Sequence, residues 1–224
     1  MVEVHRIAGG NVNCYIVSDH DKAILVDTGR KKYRKKVLEK CREFHVCLIM
    51  LTHGHMDHCQ NAAYLADALQ IPIAMNGKDR NLIPDNKKQP LSAKSLLGKV
   101  VLAVSLRSFE KDCLESFEPT VCLKDGDSLI QYGIDAKVVG LPGHTNGSIG
   151  LEIAPDKLIV GDALMNMFYP TVSMLYTDEQ QMLSSAKHID QLGEKIIYFG
   201  HGKPKQTHKI SFYRQSSTNF PASL

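Results

Sequence analysis

Four side chains of metal-ligating type fall within six consecutive positions: His53, His55, Asp57 and His58 in the segment LTHGHMDHCQN. Neutral imidazoles and carboxylates together suit zinc, iron or manganese. Polar loops usually draw on Ser, Asn, Lys and Gly, so this composition points to an ion rather than to a solvated turn. In extended backbone, residues two apart face the same way, so His53 and His55 can present imidazoles to one point. Gly54 between them lets the loop bend around an ion. Asp57 and His58 are adjacent, face different sides and can serve a second ion, with His58 expected to open a helix. Three more polar residues end apolar runs in the second half of the chain: His144 in GLPGHTNGS, Asp162 in LIVGDAL and His201 in IYFGHGKP. Each is flanked by glycine, which lets backbone pack closely and sets a side chain at a sheet rim. Singly, each reads as a turn residue. Together they bring the count to seven N/O ligands, enough for two metals that share a bridging carboxylate and leave room for water.

Elements of regular spacing flank these residues. VEVHRI, NCYIVS and AILVD read as strands separated by turns, with Asp27-Thr28-Gly29 closing the third. RKKYRKKVLEKCREF places Tyr33, Val37, Leu38 and Cys41 at helical spacing. VCLIML is a continuous apolar run, as in a strand covered on both faces. CQNAAYLADALQ then reads as a helix and IPIAM as a strand. TVCL, DSLI, IDAKVVGL, SIGLEIA and KLIVGD read as strands, DEQQMLSSAKHIDQL as a helix and KIIYFG as a last strand. Residues 76–118 break this rhythm and suggest an inserted lid or helical excursion, with Leu96, Leu97, Val100, Val101 and Val104 on one helical face. Both halves share one plan, so two sheets stacked face to face with helices outside give an α/β, four-layer αββα sandwich. One domain over residues 1–224 is expected.

Composition narrows the function classes. The 224 residues are 43% hydrophobic and 23% charged, ordinary values for a folded chain and not for a disordered tail. A net charge of +3 does not call for nucleic acid or an anionic membrane. The dense basic run RKKYRKK reads as a solvated helix face. No segment approaches eighteen uninterrupted apolar residues, so no membrane span is expected, and the first residues do not read as an export signal. Six scattered cysteines without CxxC pairs then read as reduced thiols of a cytoplasmic protein. The expected partner is a small-molecule substrate. The oligomeric state is open, a homodimer being one option.

The run HxHxDH at 53–58, followed in order by GHT at 143–145, Gly161-Asp162 and GHG at 200–202, resembles the metallo-β-lactamase-fold hydrolases. The resemblance covers the chain from LVDTG onward and implies the αββα sandwich with a metal site on the edge shared by both halves. It implies that His53, His55 and His144 hold one metal, that Asp57, His58 and His201 hold another, and that Asp162 bridges them. Asp27 would steady the first loop without touching metal, and Thr52, Thr145 and Ser148 are candidates for the same supporting work. The cofactors implied are two divalent ions, zinc first, with iron or manganese as alternatives. Two such ions ~3.5–4 Å apart bring the pKa of a shared water down to ~7, so that hydroxide attacks a carbonyl, with Asp57 orienting it or carrying a proton.

Within that family the ligand set is similar to that of glyoxalase II, a thioester hydrolase, although the 23 residues after His201 are not expected to supply its helical glutathione-binding C-terminal region. A dinuclear hydrolase of a small thioester or ester is therefore expected. The alternatives are a mononuclear-iron sulfur dioxygenase, a lactonase or a phosphodiesterase of the same fold. Phe168, Tyr169, Met174 and Tyr176, with the 76–118 segment, are candidates for the substrate-pocket wall, while Met165 and Met167 read as core filler.

Overall fold

A computed structural model describes residues 2–111 and 114–206. The strands are β1 (Glu3–Gly9), β2 (Val12–Asp19), β3 (Lys22–Val26), β4 (Val46–Met50), β5 (Ile73–Met75), β6 (Val121–Cys122), β7 (Ala136–Gly140), β8 (Ile149–Ile153), β9 (Lys157–Gly161), β10 (Leu164–Met165), β11 (Thr171–Val172), β12 (Ile196–Phe199) and β13 (Lys205–Gln206). The helices are α1 (Arg34–Cys41), α2 (Met56–Cys59), α3 (Ala62–Leu69), α4 (Leu96–Lys111) and α5 (Glu179–Gln191). One sheet runs β1-β2-β3-β4-β5-β6, antiparallel up to β3 and parallel from there on. The other runs β13-β12-β9-β8-β7, with β9 and β12 its parallel pair.

The alternation within each strand decides the layers. Ile24, Val26 and Leu48 of the first sheet meet Val138, Leu151 and Ile159 of the second in one buried core between the sheets. The opposite side of the first sheet buries Ile16, Leu25 and Ile49 against Val37 and Leu38 of α1 and Leu65 of α3. The opposite side of the second buries Leu158, Val160 and Phe199 against Ala186 and Ile189 of α5. That is the αββα sandwich. Among the described residues no helix is long and apolar enough to cross a membrane. Cys14, Cys41, Cys47, Cys59 and Cys122 carry free thiols, and Cys113 lies outside the described residues.

Local chemistry corrects three expectations. DSLI is not a strand: Ser128 bridges once to Lys137, and a 3-10 turn, Ile130–Tyr132, follows. Asp127 accepts from Lys124 N at 2.9 Å and Ser128 Oγ from Ile130 N at 3.2 Å, and such side-chain bonds compete with a ladder. The helix expected from Cys59 onward is split at Gln60-Asn61, because the Asn61 amide turns back to the carbonyls of Thr28, Gly29 and Arg30 at 2.8, 3.0 and 3.0 Å. His58 does not open its helix. α2 begins at Met56, whose N–H donates to Asn86 Oδ1 at 2.7 Å.

Residues 76–118 form most of the crossover between the parallel neighbours β5 and β6. They do two jobs. The first stretch, from a 3-10 turn at Gly77–Leu82 to Gln89, folds under the 53–58 loop. The later part, from Leu91 into α4, lines the cavity above it.

Candidate functional site

The residues singled out by type and spacing converge. His53 and His55 follow β4, Asp57 and His58 ride on α2, and His144, Asp162 and His201 follow β7, β9 and β12. All lie beyond the carboxyl ends of strands, where the rims of the two sheets meet, a usual place for ligands in α/β folds. His53, His55 and His144 form one cluster whose ligating atoms lie within 4.8 Å of one another, and Asp57, His58 and His201 form a second. Asp162 stands between them: Oδ2 is 3.7 Å from His144 Nε2 and 3.2 Å from His201 Nε2, and Oδ1 is 3.4 Å from His58 Nε2.

Hydrogen bonds decide how the rings are presented. His58 Nδ1 pairs with Asp27 Oδ2 at 2.8 Å, His144 Nδ1 donates to the Leu175 carbonyl at 2.8 Å, and His201 Nδ1 to the Asn11 carbonyl at 2.7 Å. In all three rings Nε2 is left facing inward, the arrangement by which outer partners fix a ligating tautomer. His53 Nδ1 lies 3.0 Å from Thr52 Oγ1, and His55 Nδ1 is 2.9 Å from His144 Nε2. Four buried polar atoms among these residues have no hydrogen-bond partner: Nε2 of His53, His55 and His58, and Oδ1 of Asp162. Orphaned polar atoms in a buried position are costly, and lone pairs of this kind fit divalent cations.

The charges divide in the same way. Burial, with His58 and His144 beside it, holds His53 well below the ordinary imidazole range, and burial plus His144 pushes His55 down to about 3. These rings are neutral, as ligands must be. For His58, burial opposes protonation, but Asp162, Asp27 and Asp57 outweigh it and hold the ring well above its usual value. His201 is raised likewise, burial being outweighed by Asp162 and Asp57. Burial alone would raise Asp162 and Asp57, yet His201 and His58 hold Asp162 well below the carboxylate range and, with Arg30, lower Asp57. On this side the carboxylates of Asp27, Asp57 and Asp162 are balanced by Arg30 and by protons on His58 and His201, and a bound cation would take the place of those ring protons.

Asp27 does the supporting work expected of it. Its carboxylate accepts from Thr52 N at 2.8 Å and Thr52 Oγ1 at 2.9 Å as well as pairing with His58. The backbone there has φ +59°, a sparsely populated conformation for a residue with a side chain. Gly161, at φ +53°, brings Thr52 within 2.7 Å of where a Cβ would sit. At Gly54 a Cβ would meet Leu82 at 2.8 Å and the Asp79 carbonyl at 2.9 Å, so the loop packs there only without a side chain. Thr145 and Ser148 bond to each other at 2.7 Å and act through Asp79.

Sequence reasoning missed Asp79, Asn86 and Asn13. Fully buried Asp79 accepts from Gly54 N, Thr145 Oγ1, Gly147 N and Gln89 Nε2, so it ties the His53–His55 loop to the His144 loop. Asn86 clamps the same loop from below, donating to the Gly54 carbonyl at 3.0 Å. Asn13 donates to the carbonyls of Phe199 and Gly202, and Tyr15 OH to Phe199, which fixes the His201 turn to the first sheet. Asn13 and Asn86 carried no spacing signal. A lone Asp79 in a polar stretch looks like a surface residue.

The site opens into a cavity of about 480 Å³ lined by His55, Asp57, His144, Asp162 and His201 on the floor and by α4 on one wall. The pocket wall differs from expectation. Met165, Met167 and Leu175 line it, whereas Phe168, Tyr169, Met174 and Tyr176 do not. Tyr169 is 56% exposed and Phe168, 77% exposed, borders a neighbouring groove, while Tyr176 is buried where its backbone pairs with Ser92. Arg30 also lines the cavity, 3.5 Å from Asp57 Oδ2.

A family model for the metallo-beta-lactamase superfamily matches residues 7–201. The chain belongs to that superfamily, whose members are mostly metal-dependent hydrolases. An uncharacterized protein of Aquifex aeolicus is 33% identical over 156 residues, 68% of this chain and 65% of that one. The chain thus spans about two thirds of that relative. A Haemophilus influenzae protein named hydroxyacylglutathione hydrolase GloC is 25% identical over 209 residues, 90% of each chain. A crystal structure titled TTHA1623 in a di-iron-bound form superposes with a TM-score of 0.67 at 22% identity, covering 90% of this chain and 94% of that one. It is similar in fold.

Asp27→Asn tests the support of His58 while keeping a residue type that tolerates positive φ. The expected result is a 10–100-fold weaker metal affinity or activity, roughly the cost of losing such an outer partner, read by competition with a chromogenic chelator. Affinity within twofold of the parent would show that Asp27 acts on backbone alone.

Proposed function

We propose that the protein is a dinuclear metallohydrolase that cleaves a small thioester or ester. His53, His55 and His144 would hold one divalent cation and Asp57, His58 and His201 the other, with Asp162 placed to serve both clusters. The observation that carries the reading is the position of Asp162 between two histidine-rich clusters, beside orphaned Nε2 atoms that all face one volume. Cations at such a centre supply an acidified water at neutral pH and polarise the carbonyl that is attacked.

The chain's own residues do the rest. Asp27, Leu175 and Asn11 hold three imidazoles with Nε2 inward. Asp57 Oδ2 faces the cavity beside Arg30 and is placed to take a proton from the attacking water and return it to the departing sulfur or oxygen. The cavity volume suits a small molecule, and the relative named hydroxyacylglutathione hydrolase supports a thioester. Zinc is the proposed metal, with iron the first alternative in view of the di-iron structural neighbour.

The test combines metal analysis with turnover. The expected result is two metals per chain, thioester cleavage lost on chelation and restored by zinc, and weaker action on lactones, β-lactams and phosphodiesters. Fewer than one metal per chain together with no thioester or ester cleavage would overturn the reading. One tightly held iron with oxygen consumption would replace it with the dioxygenase alternative.

A further inference from the structure

We propose that the wall formed by α4 is an acyl-chain groove, so that the substrates of this site carry an apolar acyl group longer than acetyl. The inference rests on the hydrolase reading above and adds the substrate class. Val100, Val101 and Val104 of α4 line the same cavity as Asp57 and Asp162, with Met165, Met167 and Leu175 among its other apolar residues. Val100 and Val104 are one helical turn apart and share a face. They are 62% and 60% exposed although they line a cavity, because the cavity is open along that side. Leu96, 83% exposed, and Leu97, 47% exposed, continue the apolar surface toward the start of the helix.

A soluble protein gains nothing by leaving such a row against water, and an apolar patch with a polar rim marks a binding surface. Its continuity with the cavity floor says what covers it. A group covalently attached to the reacting carbonyl, which must sit near Asp162, reaches Val104 without leaving the one cavity that both residues line. The anchors of α4 keep this wall in place. Gly98 is buried against the Met174 carbonyl, Lys94 pairs with Glu179 at 2.6 Å, and the Phe109 ring stacks on His55 at 5.5 Å. The two methionines opposite are adaptable and can line chains of different length. Arg30, the guanidinium among the described residues of this lining, already faces Asp57.

The experiment uses the zinc-loaded protein with N-acetylcysteamine thioesters of acetate, butyrate and octanoate, and separately measures binding of butyrate and octanoate by calorimetry. Each methylene buried in a half-open groove is worth roughly two- to fourfold. The expected ratio of kcat/KM, octanoyl to butyryl, is therefore about tenfold or more, with a parallel preference in binding. In Val100→Glu/Val104→Glu that ratio falls to about one, while Val104→Leu keeps it. Both positions are exposed, and the ratio cancels any general loss of activity. A flat profile in the parent protein, or a ratio that persists in the double Glu variant, overturns the proposal. So does a double variant that turns a dimer into a monomer with the profile flat throughout, which would assign the face to self-association. If no thioester is cleaved but octanoate binds tenfold more tightly than butyrate only with the valines present, the groove stands and the hydrolase reading falls. If neither cleavage nor a binding preference is found, both fall.

Discussion

Asp162→Asn is expected to give a folded protein that holds fewer than two metals and has lost roughly a thousandfold in turnover. The substitution keeps side-chain volume and changes charge, so the core around β9 is undisturbed. What it removes is the anion that faces His58, His144 and His201 at 3.2–3.7 Å. A bridging carboxylate holds both cations and sets their charge balance, and metal-derived stabilisation of the transition state is worth several kcal/mol. Three orders of magnitude correspond to about 4 kcal/mol. Metal content by mass spectrometry and thioester kinetics, with a circular dichroism spectrum to confirm folding, decide the matter. Full occupancy with activity within tenfold of the parent would remove Asp162 from the bridging position.

The second large effect is on stability. Asp79→Ala leaves four buried donors without their acceptor: Gly54 N, Thr145 Oγ1, Gly147 N and Gln89 Nε2, now at 2.6–3.0 Å from the carboxylate. An unsatisfied buried donor costs about 1–3 kcal/mol. Relaxation and water entry make the four less than additive, so a total of about 3–5 kcal/mol is expected. In a domain of this size that lowers the melting temperature by roughly 10 °C. Metal affinity falls with it, because the loops carrying His53, His55 and His144 lose their common tether. Asp79→Asn keeps one acceptor oxygen and is expected to fall between the two. A melting temperature for Asp79→Ala within 3 °C of the parent would mean that Asn86 and Ser148 suffice to hold the loops.

Both effects come from side chains of one type, yet only one was visible beforehand. Asp162 ends an apolar run, LIVGD, between glycine and a strand, and belongs to an ordered set of motifs. Asp79 sits in NGKDRNL, a stretch whose polarity suggests solvent. Its burial arises because the crossover from β5 to β6 dips beneath the 53–58 loop before climbing into α4. The bonds it makes span 10 to 68 residues of chain, a separation that leaves no periodic trace. Tyr169 and Tyr176 fail as pocket residues for the same reason. The turn after β10 sends Tyr169 outward, and the pairing of Tyr176 with Ser92 buries it. Met165 and Met167, read as filler, face the cavity instead.

Residue type and order along the chain were enough to single out seven side chains that the fold brings together, their place at strand ends, the layered α/β architecture and the superfamily. Those properties are local: a strand announces itself by alternation or a buried run, and an imidazole beside glycine at its end keeps its chemistry wherever the strand goes. The tertiary structure alone decided that six of the seven fall into two clusters with Asp162 between them, that Asp27, Asp79 and Asn13 aim and tether them, and that α4 turns an apolar face to the cavity. These depend on sheet order and on hydrogen bonds between the two halves. Distances of that kind are set by packing and have no counterpart in the spacing of the residues.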